Sequence, residues 1–113
     1  ALQRIADSGH PFVVLDRLPV GLRADLVTSD NEGATASAVD ALARAGHCHI
    51  GFFSFHRPGF STVAERYRSF ARACERNGLA DPTPYERWFE NDLESDHPRF
   101  VQAIHDALFT LLH

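Results

Sequence analysis

Asp30-Asn31-Glu32-Gly33-Ala34, running on to Ala41-Leu42-Ala43-Arg44-Ala45-Gly46-His47, is the stretch on which the fold reading turns. Its alanine-rich pattern predicts a helix over 32–45, with Ala34, Ala38, Val39, Leu42 and Ala45 as an apolar stripe. Ser29 and Glu32 have capping-box spacing, Asn31 offers an alternative cap, and Gly46 is a C-terminal stop. Small residues on the stripe would let the helix approach a sheet closely. An apolar run precedes the helix, Phe12-Val13-Val14-Leu15, and another follows it over 48–55. Runs of this kind predict parallel strands covered on both faces.

Working outward, Leu2, Ile5 and Ala6 have helical spacing and Ser8-Gly9 ends that pattern. Leu18-Pro19-Val20-Gly21 reads as a turn and 25–29 as a short extended segment. Beyond the second strand, residues 56–61 read as a loop. Thr62 and Glu65 form another capping-box pair, opening a helix to Asn77 with Gly78 as its stop and Val63, Tyr67, Phe70 and Cys74 facing the core. Residues 86–91 predict a third strand. Asp96, with Pro98 in the first turn, caps a last helix whose apolar face is Phe100, Val101, Ile104, Leu108 and Leu111. The order α-β-β-α-β-α-β-α predicts an α/β fold with a parallel sheet and right-handed crossovers.

The 113 residues carry a net charge of −4 with 44% hydrophobic and 23% charged residues, an ordinary globular composition and an unsuitable one for an electrostatic nucleic-acid binder. All eleven basic residues are arginine. Cys48 and Cys74, without a dense cysteine framework, are expected as buried small apolar groups in a reducing, cytoplasmic setting. No apolar run approaches the ~18 residues of a membrane helix.

Asp16 and Arg66 are the candidate ligand groups. Asp16 ends a strand, where open α/β sheets place ligand contacts; Arg66 is expected in the first turn of its helix, where the dipole favours an electron-rich partner. A carboxylate accepting from hydroxyls and a guanidinium donating in a planar fork can grip the vicinal hydroxyls of a sugar. The alternative is that Asp16 caps a turn and Arg66 pairs with a surface acid. His47 and His49 share a strand face beside Cys48, but lack a nearby third ligand, so they read as structural. His97, His105 and His113 read as solvent-facing. No cofactor or metal is expected, and no Gly-x-Ser-x-Gly or phosphate loop supports an enzyme.

Taken together, Val13-Val14-Leu15-Asp16-Arg17, the Asp30 stretch, Ile50-Gly51-Phe52-Phe53 and Arg66-Tyr67-Arg68-Ser69-Phe70 resemble the effector-binding domain of the LacI/GalR family of bacterial transcriptional regulators. The resemblance implies a periplasmic-binding-protein-like (type I) fold with two Rossmann-like subdomains around a crevice. On it, 1–30 would end the N-terminal subdomain and 31–113 begin the C-terminal one, with Asp30 and Asn31 as a hinge. It further implies a small effector, a sugar or sugar derivative, bound by Asp16, Arg66, Thr62, Phe60 and Leu93. It also implies a homodimer that meets operator DNA through a helix-turn-helix domain absent from this chain. Ser69 stands where the family has glycine. At Asn91-Asp92-Leu93 the family's stacking aromatic is missing, or supplied by Trp88 or Phe89. A sugar-transport solute-binding protein shares the fold and is the rival reading. Val14-Leu15-Asp16-Arg17-Leu18-Pro19 also resembles a receiver-domain phosphoacceptor strand, but that fold needs a lysine and this chain has none.

Overall fold

The computed structural model describes residues 2–56, 61–90 and 96–112. The element order is the expected one: α1 (Leu2–Asp7), β1 (Val13–Leu15), β2 (Asp25–Val27), α2 (Asn31–Arg44), β3 (Phe52–Phe55), α3 (Ser61–Arg76), β4 (Glu86–Phe89) and α4 (His97–Leu112), with a 3-10 turn at Thr83–Tyr85. The described strands form two parallel pairs. β1 runs beside β2 with Val14 opposite Leu26, and β3 beside β4 with Ser54 opposite Trp88.

The β3–β4 pair is covered on both sides because its residues alternate between two aromatic faces. Phe52 and Trp88 share the face on which Tyr67 and Phe70 of α3 pack, with ring centroids 5.1–5.5 Å apart. Phe55 and Phe89 share the other, where Phe100 of α4 stacks on Phe55 at 4.9 Å. Gly51 precedes β3 because a Cβ there would lie 2.9 Å from the Tyr85 carbonyl oxygen, too close to backbone that cannot yield. α4 starts as expected: the Asp96 carboxylate accepts from the Arg99 N–H at 3.2 Å.

Several expectations are corrected. α2 is capped by Asp30, whose carboxylate accepts from the Gly33 N–H at 2.9 Å, rather than by Ser29 or Asn31. A side chain at Gly33 would collide with that carboxylate, which accounts for a glycine inside the first turn. The buried face of α2 is rotated from the expected stripe. Val39 is buried and Ala36 half-buried, whereas Ala34, Ala38, Leu42 and Ala45 are exposed. An alanine-rich helix defines its face weakly, and here α2 packs chiefly on α3 rather than directly on a sheet. Val39, Phe70, Ala73 and Cys74 form the core, flanked by Ile50, Phe52, Tyr67 and Leu79. β3 begins at Phe52, four residues later than expected, so Cys48 is exposed rather than buried. Burial pushes the Cys74 thiol up from its ordinary value. β1 is covered on one face only: Val14 is buried, but Val13 and Leu15 are 56% and 72% exposed. Thr62 does not cap α3; it lies inside the first turn, buried.

Polar contacts run the length of the α2–α3 seam. The Ser69 hydroxyl donates to the Glu32 carbonyl at 2.6 Å, so the residue expected as a departure from glycine becomes a strut. At the far end, Arg76 and Asn77 both donate to Asp40 at 2.7 Å. The Asn77 amide and then Arg76 hold the Asp40 carboxyl below its ordinary value.

Two outcomes follow from this seam. Ser69→Ala removes this part-buried hydrogen bond and lowers stability by about 0.5–1.5 kcal/mol in urea unfolding; an unchanged midpoint would remove the strut. Because the folded-state pKa of Asp40 is depressed, its contribution is present above the unfolded value and lost as pH falls through the folded one. Asp40→Asn therefore flattens the decline in stability below about pH 4, read by urea unfolding at pH 7 and pH 3.

Candidate functional site

The backbone at the end of β1 is unusual. Asp16 has φ of 75°, and among the described residues no other non-glycine residue has positive φ. Its own N–H continues the ladder to the Val27 carbonyl at 2.8 Å, and the Arg17 N–H turns back to the Leu15 carbonyl at 3.0 Å. A three-residue turn closed around a positive-φ centre is a strained γ-turn. Thr28 clamps it, its hydroxyl donating to the Asp16 carbonyl at 2.5 Å. Strain of this sort persists only where surrounding bonds enforce it, and it marks functional positions. The side chain of Asp16 is exposed at the C-terminal end of the β1–β2 pair.

Across from this turn stands the start of α3. The Ser61 N–H approaches the Leu18 carbonyl in the loop after β1, at 3.4 Å, which brings the strand end and the helix start together. Ser61 Oγ is buried without a partner among the described residues. Thr62 is buried next to it. Arg66 lies in the second turn of α3, not the first, so the helix dipole acts on it only weakly.

Arg66 is held by α2. Its Nε–H donates to Asn31 Oδ1 at 3.0 Å, while Asn31 Nδ2 donates to Glu65 Oε2 at 3.2 Å. Asn31, expected as part of a hinge or as a cap, occupies the first position of α2 and is 5% exposed. Asp30, its companion in the expected hinge, caps that helix. Among the described residues no hydrogen bond or ion pair joins Asp16 to Arg66, so each keeps charge for another partner.

Phe60 and Leu93, the other expected ligand residues, lie outside the described residues, as does Asn91-Asp92-Leu93 as a whole. Trp88 and Phe89 both have their rings against other aromatics, Trp88, which is itself exposed, against Phe52, Tyr67 and His56, and Phe89 against Phe53, Phe55 and Phe100. His47 and His49 are exposed and lie outside β3; His49 packs edge-on to Tyr85 at 5.5 Å. Among the described residues there is no cluster of three or more potential metal ligands, and no helix is long and apolar enough to cross a membrane.

Three parts of this arrangement escape a reading of the sequence. Thr28, Asn31 and Ser69 act on partners 12 to 37 residues away, and no local spacing announces such pairs. A signal existed only for Ser69, as the departure from glycine.

No family model matches the chain. The chain is 34% identical over 77 residues to the probable HTH-type transcriptional regulator EndR of Paenibacillus polymyxa, covering 66% of this chain and 23% of that protein. It is 33% identical over 75 residues to the HTH-type transcriptional regulator RafR of Escherichia coli, covering 66% and 22%. Its fold matches the crystal structure of a protein assigned as transcriptional regulator LacI from Bacillus cereus subsp. cytotoxis NVH 391-98, with a TM-score of 0.66 and 21% identity over 79% of this chain and 32% of that one. These relatives are HTH-type transcriptional regulators, and the fold is like that of a LacI regulator. The chain spans about a quarter of the length of the curated relatives it matches.

The γ-turn makes an immediate prediction. Strain at a forced positive-φ residue is about 1–3 kcal/mol, whereas introducing glycine loosens the unfolded chain by about 0.4–1 kcal/mol. Asp16→Gly is therefore more stable than Asp16→Ala by about 1 kcal/mol in urea unfolding. Equal stabilities of the two variants would refute the strain.

Proposed function

We propose that this chain is part of the effector-binding region of a LacI-type regulator, with residues 1–30 from one subdomain and 31–113 from the other of a periplasmic-binding-protein-like domain. The effector is a sugar or sugar derivative in the crevice between them. The observation that supports the reading is a pair of exposed polar groups that do not pair with each other: Asp16, displayed by a strained turn, and Arg66, held at its Nε by Asn31, on segments linked where the Ser61 N–H meets the Leu18 carbonyl. A carboxylate and a guanidinium set apart in this way suit adjacent hydroxyls, accepting from one and donating to another.

Thr62, buried one turn before Arg66 on the same helix, contributes a hydroxyl. Phe60 and Leu93 complete the contact set on the family pattern. Operator DNA is bound by a helix-turn-helix unit outside this chain, in a homodimer. Effector and DNA affinities are coupled because the effector binds one subdomain arrangement better than the other, which shifts the population between arrangements. Coupling of this kind needs no chemistry from the site, only differential contact. The regulator names of EndR and RafR favour this reading over a solute-binding protein of a transport system.

Arg66→Ala in the intact regulator tests it. Removing charge-assisted hydrogen bonds worth about 1.5–3 kcal/mol weakens effector binding ten- to hundred-fold or more, measured by calorimetry against a panel of free monosaccharides, disaccharides and sugar phosphates. Circular dichroism of the variant should match that of the parent. Undiminished affinity in a folded variant would dismiss Arg66 as a ligand group.

A further inference from the structure

The buried polar side chains among the described residues are Asn31, Thr62 and Ser69, and Asn31 and Ser69 both bond across the α2–α3 seam. Asn31 makes the most constrained contacts of the three. Glu65 and Arg66 are consecutive on α3, one an acceptor and the other a donor, and the Asn31 amide bridges them. Only one orientation of that amide satisfies both neighbours: NH2 toward the carboxylate, oxygen toward the guanidinium. Glu65 thus fixes which end of Asn31 meets Arg66.

The backbone on which this amide stands is itself fixed. The Asn31 N–H donates to the Ser29 carbonyl at 2.8 Å, and Asp30 caps the helix that Asn31 begins. Arg66 is otherwise an exposed side chain with many rotamers, and a ligand would have to order it on binding. We propose that Asn31 is the positioning residue of Arg66: it holds Nε in place before a ligand arrives, so that the four N–H donors of the two Nη groups are presented in a fixed plane. The inference rests on the ligand role given to Arg66 above, but the hold itself is independent of any ligand.

Other residue types fit less well. Aspartate at position 31 would accept from Arg66 yet oppose the Glu65 carboxylate. Leucine would fill the buried space and offer no acceptor at all.

The experiment is nitrogen-15 NMR of arginine Nε–H groups in the labelled chain, with the Arg66 resonance identified by its loss in Arg66→Lys. Exchange of the Arg66 Nε–H with water should be about tenfold slower than that of the exposed Arg68 and Arg72. In Asn31→Leu that protection disappears while the backbone spectrum stays native; in Asn31→Asp, which keeps the acceptor, it persists. A merely structural role for Asn31 would not produce this split between the two variants. Protection that survives in folded Asn31→Leu overturns the proposal. So does fast exchange in the unaltered chain, an outcome that stands even if Asn31→Leu fails to fold. Loss of the ligand reading would show separately, as unchanged sugar affinity in Arg66→Ala beside a protected Arg66 Nε–H.

Discussion

The packing of α2 on α3 is the constraint on which the other features depend. An apolar patch of Val39, Phe70, Ala73 and Cys74 draws the two helices together, and burial of that kind has no preferred register. Register comes from the polar struts on either side: Asn31 with Glu65 and Arg66, Ser69 with the Glu32 carbonyl, and Asp40 with Arg76 and Asn77. Each strut contributes modestly, but each is costly to leave half made. Together they fix where Arg66 stands and which face of α3 meets β3. They do so before any ligand is involved, which is the condition for a prepared binding group.

The same seam explains what the sequence did and did not disclose. Element type and order were legible because capping, glycine stops and apolar runs are local signals. Asp96 before α4, Gly78 after α3 and the aromatic run at β3 announced themselves in this way. The buried face of α2 was not legible, since alanine on every side leaves the face to be chosen by a partner helix. Cys48 was misplaced for a related reason: β3 extends only as far as β4 pairs with it, and that limit is a property of two segments. Of the candidate site, Asp16 was placed correctly at a strand end, whereas Arg66 was placed one turn too early in its helix. The groups that hold them, Thr28 and Asn31, were not legible, because their partners lie far along the chain.

Asp16 illustrates why a hold matters as much as the group held. An aspartate at positive φ in a tight turn is a poor local choice, and the backbone would relax without the bonds from Thr28 and to Val27. Those two partners are in and just after β2, so the turn after β1 is kept in shape by its neighbouring strand. The β1–β2 pair is short and open on the face of Val13, Leu15 and Val27, and a two-stranded pair is marginal alone. Whatever steadies that pair therefore also steadies the display of Asp16.

The two halves of the candidate site thus have unlike supports. Arg66 is fixed to a helix pair with its own core, whereas Asp16 depends on a small sheet with an open face. The chain is elongated, with a radius of gyration of 17.1 Å against about 13 Å for a compact domain of this length. Under the effector-binding reading, motion between the halves is absorbed in the short passage from β2 to α2, at Thr28, Ser29 and Asp30. The α2–α3 seam cannot yield there without breaking its buried polar contacts. Thr28 belongs to the Asp16 side through its hydroxyl, and Asp30 to the Arg66 side through its cap. Ser29, between them, is itself tied to the Arg66 side, its carbonyl accepting from the Asn31 N–H, so the two supports meet within three consecutive residues.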